Sequence, residues 1–129
     1  MYLTSIKEVP MKHFLLSLLL FSTALCYGQE SVNELPAGKY ETVIKNSQHK
    51  WERGDIILID ESHYKMSTSN DVGEYKFSMI AQRVFFTSGP LKNIFAKTTL
   101  QNNAPVIVVP AAENSQAGVR SEILCSLKQ

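Results

Sequence analysis

Short runs in which apolar and polar residues alternate dominate the chain from residue 38 onward. Tyr40, Thr42 and Ile44 fall on one face of a period-two repeat, and Glu41, Val43 and Lys45 on the other. A second strand is expected over 55–59, where the run of four apolar residues Ile56 to Ile59 suggests burial on one face and partial cover on the other. The alternation returns at 64–66, at 74–80 with Tyr75, Phe77 and Met79 on one face, and at 83–87 with Val84 and Phe86 on one face. Period two is the signature of a half-buried β-strand. Turn chemistry separates the runs: Asp60-Glu61-Ser62, the Asn70-Asp71 and Gly73 region, and Ser88-Gly89-Pro90. Residues 54–91 carry the densest patterning, and they set the fold expectation.

Beyond Leu91 the pattern continues more loosely. A strand is expected over 94–100, a turn at Gln101-Asn102-Asn103, and a β-branched strand over 106–109 with Pro105 at its edge. Residues 111–118 read as a loop in which Ala111-Ala112-Glu113 can form one helical turn. A last strand over 121–127 places Ile123, Cys125 and Leu127 on one face. No segment shows a sustained helical period. Eight short strands at even spacing predict an all-β domain, a single antiparallel meander of about eight strands closed or nearly closed into a barrel, in outline like a lipocalin or streptavidin. Closure is favoured because it removes exposed edges. A two-sheet β-sandwich is the alternative. Tyr40, Tyr64, Tyr75, Phe77 and Phe86 fall on the inward faces, enough rings to fill a small barrel. This predicts a solid core rather than a ligand cavity.

The first 28 residues change the picture of where the protein goes. Met11-Lys12-His13 precedes an apolar run over 14–25, followed by Cys26-Tyr27-Gly28-Gln29. A positive start, a greasy core and small residues before the junction predict a secretory signal peptide cut between Gly28 and Gln29. The apolar run is about a dozen residues, short of the ~20 that span a bilayer. Met11 makes a better start for such a signal than Met1. Lipidation at Cys26 is disfavoured because bulky Leu25 precedes it. Residues 29–37 read as a polar, flexible lead-in, with only Val32 and Leu35 to pack, and 38–129 as the barrel domain. No linker divides the rest into further domains. The expected location is the periplasm or the outside of the cell, with membrane contact only through the signal.

Losing Lys7, Lys12 and Glu8 with the leader takes 13 basic and 12 acidic residues to 11 of each. A neutral domain lacks the basic footprint of a nucleic-acid binder. Cys125 is then the single remaining cysteine, so the domain must hold together without an internal disulfide.

Two Gly-x-Tyr steps, Gly38-Lys39-Tyr40 and Gly73-Glu74-Tyr75, combine with the Gly54-to-Tyr64 spacing around Ile56 and Leu58. Phe86-Thr87-Ser88-Gly89-Pro90-Leu91 and the late Cys125 complete the series. In order and spacing, over about residues 38–127, this resembles a family of small secreted bacterial all-β proteins of unknown function. The resemblance implies a β fold and no particular chemistry. It also implies that a cysteine often stands where this chain has Thr42, so that Cys125 here lacks its disulfide partner.

Candidate chemistry is sparse. His49 and His63 have no cysteine or carboxylate at metal-ligand spacing, so no metal and no cofactor are expected. Cys125 shares a face with Ile123 and Leu127 and reads as a buried thiol. Asp60-Glu61 is explained by turn chemistry, and no nucleophile elbow, phosphate loop or dinucleotide fingerprint is present. Trp51 sits in a polar loop with His49, Lys50 and Arg53. It is placed either to stack on a sugar or a partner, or to fold back and plug the barrel. Trp51, Arg53 and His49 are therefore the candidate binding residues. No catalytic residue is nominated. The expected role is an exported, non-catalytic binding module for a protein partner, of interaction or inhibitor type. A lipocalin-like carrier of a small ligand and an unrecognised enzyme are the alternatives.

Overall fold

Alternation becomes a wall once each strand finds a neighbour for its backbone and an interior for every second side chain. The computed structural model describes residues 31–128. The expected leader, with Met11, Cys26 and the Gly28–Gln29 junction, lies outside them. Eight strands run in chain order: β1 (Gly38–Ile44), β2 (Ile56–Leu58), β3 (His63–Met66), β4 (Val72–Ser78), β5 (Arg83–Phe86), β6 (Phe95–Gln101), β7 (Ala104–Val109) and β8 (Ile123–Leu127). Each pairs antiparallel with the next, and β8 pairs back on β1, from Tyr40 opposite Leu127 to Ile44 opposite Ile123. The barrel is closed, as the sequence leads one to expect, and the two-sheet sandwich is not formed.

Observed strands are trimmed where the local chemistry turns the chain. β4 stops at Ser78, so Met79, expected inward with Tyr75 and Phe77, lies outward in the turn and is about half exposed. β8 starts at Ile123 rather than at 121. Between β6 and β7, Asn102 and Asn103 both take left-handed backbone angles (φ 53° and 63°), which suits the twist of a tight two-residue hairpin. Residues 112–117 form a short 3-10 helix before Gly118.

The interior is filled. Tyr40, Tyr64, Tyr75 and Phe86 are buried with Ile56, Leu58, Met66, Val84, Ala96, Ile107 and Cys125, while Phe77 is only partly covered. Each tyrosine keeps its ring inside and hands its hydroxyl to backbone: Tyr40 donates to the Pro36 carbonyl, Tyr75 to Asp60 and Tyr64 to Ser88, all at 2.7 Å. Burial raises all three phenols above their ordinary range, so they remain donors.

The meander sorts its connections by length. Residues 59–62, 79–82 and 102–103 turn tightly at one end, while 45–55, 67–71, 87–94 and 110–122 make the long-loop end. The lead-in belongs to the tight-turn end, and over 31–37 it packs against the barrel. Val32 and Leu35 are buried in the core. The side-chain amide of Gln82 clamps the Val32 backbone at two points, accepting from its N–H and donating to its carbonyl, each at 2.8 Å. Two apolar side chains suffice to seat the segment because this amide satisfies the backbone that a strand partner would otherwise satisfy.

Candidate functional site

With the interior closed, concave surface near the candidate residues is found at the long-loop end. The loop after β1 begins with a turn in which Asn46 adopts φ 63° and the Ile44 N–H bonds the His49 carbonyl at 2.9 Å. A second turn, Gly54 N–H to the Trp51 carbonyl at 3.0 Å, returns the chain toward β2. Between these turns Trp51 folds inward and is only 6% exposed. Of its two expected placements, the indole takes the one that plugs the barrel. Arg53 lies over the indole, 5.5 Å from its centroid, and donates to the Ala117 carbonyl at 2.8 Å. That bond ties the 46–55 loop to the 110–122 loop. His49 stays exposed, its N–H bonded to Ser47 Oγ.

The two tied loops enclose a cleft of about 520 Å3. Ile44, Trp51, Val119 and Ile123 supply its apolar lining. Lys50, Glu52 and Arg120 supply its charges. Trp51 therefore belongs to this candidate site as lining rather than as a protruding platform. Arg53 and His49 are not among its lining residues. Arg120, Val119 and Glu52 were not legible as site residues, because the sequence puts Arg120 and Val119 nearly seventy positions from Trp51 in an unpatterned loop.

A buried polar cluster supports the base of the same loop. β1 and β2 pair only over Gly38–Tyr40, and beyond that Asp55 replaces the missing strand partner. Its carboxylate accepts from the Thr42 N–H at 3.0 Å and from the Thr42 hydroxyl at 3.2 Å. Lys39 and Lys50 approach it at 3.6 and 3.8 Å. Burial opposes ionisation of Asp55, but the Thr42 amide and hydroxyl and the two ammonium groups outweigh it. The carboxyl is held below the usual aspartate range. Thr42 also stands directly opposite Cys125 on β8. Its N–H turns toward Asp55, away from β8, so the two residues form a non-hydrogen-bonded pair, the closer kind in an antiparallel ladder. Burial, with the Asp55 charge nearby, pushes the Cys125 thiol far up and leaves it un-ionised.

The recurrent glycine and tyrosine positions converge elsewhere, on a structural knot. The Tyr64 hydroxyl, besides donating to Ser88, accepts from the Leu91 N–H at 2.8 Å. Gly73 and Gly89 touch backbone to backbone beside its ring. A Cβ at Gly73 would lie 2.6 Å from the Tyr64 ring and 2.8 Å from the Gly89 Cα. Asp60, the first of the carboxylate pair, and His63 cap their own turn: the Asp60 carboxylate accepts from the Ser62 and His63 N–H groups and the His63 ring. Glu61 takes no part in these bonds. Among the described residues no three His, Cys, Asp or Glu side chains gather as a metal site would require. A separate apolar feature is the 79–82 turn, where Ile80 is 95% exposed beside Met79. Gln82 holds this turn through the Met79 carbonyl, and its backbone carbonyl accepts from the Thr98 N–H. Compared with protein-family models, with curated proteins and with solved structures, the chain finds no match.

Proposed function

We propose that this chain is an exported, non-catalytic binding domain that engages a partner protein through its long-loop end. The observation that carries the reading is the filled interior. Four buried aromatic rings with aliphatic neighbours occupy the space a carrier would need, so contact with a ligand falls to the outer loops. The cleft beside Trp51 offers there what binding surfaces use, an apolar lining within a charged rim. Export rests on the leader pattern at 11–28. The resemblance to small secreted all-β proteins agrees with it, and a cysteine at position 42 would stand opposite Cys125 as that resemblance implies. A small-ligand carrier is disfavoured by the packed core. A second contact surface is favoured by one observation, the exposed Met79–Ile80 turn fixed by Gln82.

The test is affinity capture from envelope extract with the wild type and two surface variants. Trp51→Ala is unsuited to it, since truncating a buried indole costs about 3–5 kcal/mol of stability. A partner held by wild type and Ile80→Ser but lost with Arg120→Glu is expected. Loss with Ile80→Ser alone would move the contact to the tight-turn end. No stoichiometric partner with any form would refute the reading.

A further inference from the structure

We infer that the cleft beside Trp51 captures the C-terminal end of a partner polypeptide whose last residue is apolar. This rests on the reading of the chain as a binding domain and names what the site takes.

Charge is the first argument. Lys50 and Arg120 line the cleft against a single carboxylate, Glu52. Lys50 is shared at long range with Glu41 at 3.7 Å and Asp55 at 3.8 Å, and its side chain is still 65% exposed. Arg120 is exposed and pairs with no carboxylate within 4.0 Å among the described residues. A guanidinium on a rim without a partner is suited to a carboxylate, which it can grip through two parallel bonds.

Donors are the second argument. The N–H groups of Arg120 and Ser121 bond to no backbone group among the described residues, although Gly118 and Val119 just before them are satisfied by Ser115 and Asn114. Successive unbonded N–H groups beside a cation are the usual means of holding a terminal carboxylate.

The apolar lining is the third. Ile44, Trp51, Val119 and Ile123 lie within the same 520 Å3. In a terminal residue the carboxylate and the side chain branch from one Cα, so one small cleft meets both at once. An internal Asp or Glu carries its charge at the end of its own side chain, with no second side chain branching from the same Cα. The volume suits a terminal residue and its neighbour.

Trp51 is the only tryptophan in the chain, so its fluorescence reports on this cleft directly. The purified protein is titrated with the tetrapeptide acetyl-Gly-Ser-Gly-Leu as free acid, with the same peptide as C-terminal amide, and with N-acetyl-leucine. The free acid should give a saturable change, and the amide should bind at least about tenfold more weakly. Arg120→Ala should weaken the acid by a similar factor, while Glu52→Gln should tighten it, since a like charge is removed. An amide that binds as well as the acid overturns the inference, as does the lack of any saturable change. N-acetyl-leucine binding as tightly as the tetrapeptide would mark a site for small acids instead of a chain end. If the tetrapeptide fails while capture from envelope extract still depends on Arg120, this inference falls and the binding-domain reading stands. If the tetrapeptide binds and no partner is captured, the cleft's chemistry stands and the partner reading falls.

Discussion

Tyr64→Phe isolates one oxygen atom at the centre of the fold. The ring is fully buried, edge-on to Phe86 with centroids 4.8 Å apart and to Tyr75 at 6.4 Å. Phenylalanine keeps that packing. What disappears is a hydroxyl that donates to the Ser88 carbonyl at 2.7 Å and accepts from the Leu91 N–H at 2.8 Å. Leu91 is itself 0% exposed, so water cannot readily replace the lost acceptor. An orphaned buried polar group costs about 1–3 kcal/mol. With the Ser88 carbonyl also losing a partner, the expected loss is about 2–4 kcal/mol, a large share of the ~5–15 kcal/mol available to a domain. For a domain of this size that lowers Tm by roughly 10–25 °C. Urea unfolding followed by Trp51 fluorescence measures it, with an unchanged m-value as the sign that only stability moved. Tyr40→Phe is the internal comparison: its hydroxyl serves a single carbonyl, that of Pro36, and should cost about 1 kcal/mol. A Tyr64→Phe loss below about 0.5 kcal/mol would refute the idea that this hydroxyl joins β3 to the loop after β5.

Three further outcomes follow from the same geometry. Gly73→Ala forces a Cβ against the Tyr64 ring and the Gly89 backbone, and should destabilise by about 1–3 kcal/mol or more; calorimetry showing no change would contradict the close approach. Asp55 is ionised in the fold below its ordinary value of 3.8, so its contribution is present above that value and is lost as pH falls through the lower folded value. Unfolding measured from pH 6 down to pH 2 should show this loss, and Asp55→Asn should be less stable at pH 6 and flatter across the acid range. Cys125 is 0% exposed, so a maleimide should label native protein at least about 100-fold more slowly than urea-unfolded protein; equal rates would disprove burial.

Strand periodicity made the barrel legible, because inward Tyr40, Tyr64, Tyr75 and Phe86 announce themselves at every second position. Closure was legible only as a preference, since nothing in β8 names β1 as its partner. What stayed hidden was the set of buried polar clamps. Gln82 seats the lead-in, Asp55 completes β1, and the Asn114 side chain, 3% exposed, bonds the N–H and carbonyl of Phe95 and the Pro110 carbonyl. Each stands in a polar stretch where solvated turn chemistry explains it equally well. The same ambiguity concealed the cleft. Trp51 was visible as an outlier in its loop, but Arg120 and Val119 meet it only because two loops distant in sequence are joined, by the Arg53–Ala117 bond and by Lys45 bonded to Glu122 through backbone and side chain.

The most direct test of an outside-binding solid barrel is a map of backbone amide chemical shifts during titration with acetyl-Gly-Ser-Gly-Leu. The account predicts saturable shifts concentrated at residues 44–53 and 118–123, with the amides of Tyr64, Met66 and Ile107 unmoved. Shifts centred on those inward-facing residues would contradict it, because they would mean that the ligand enters the core.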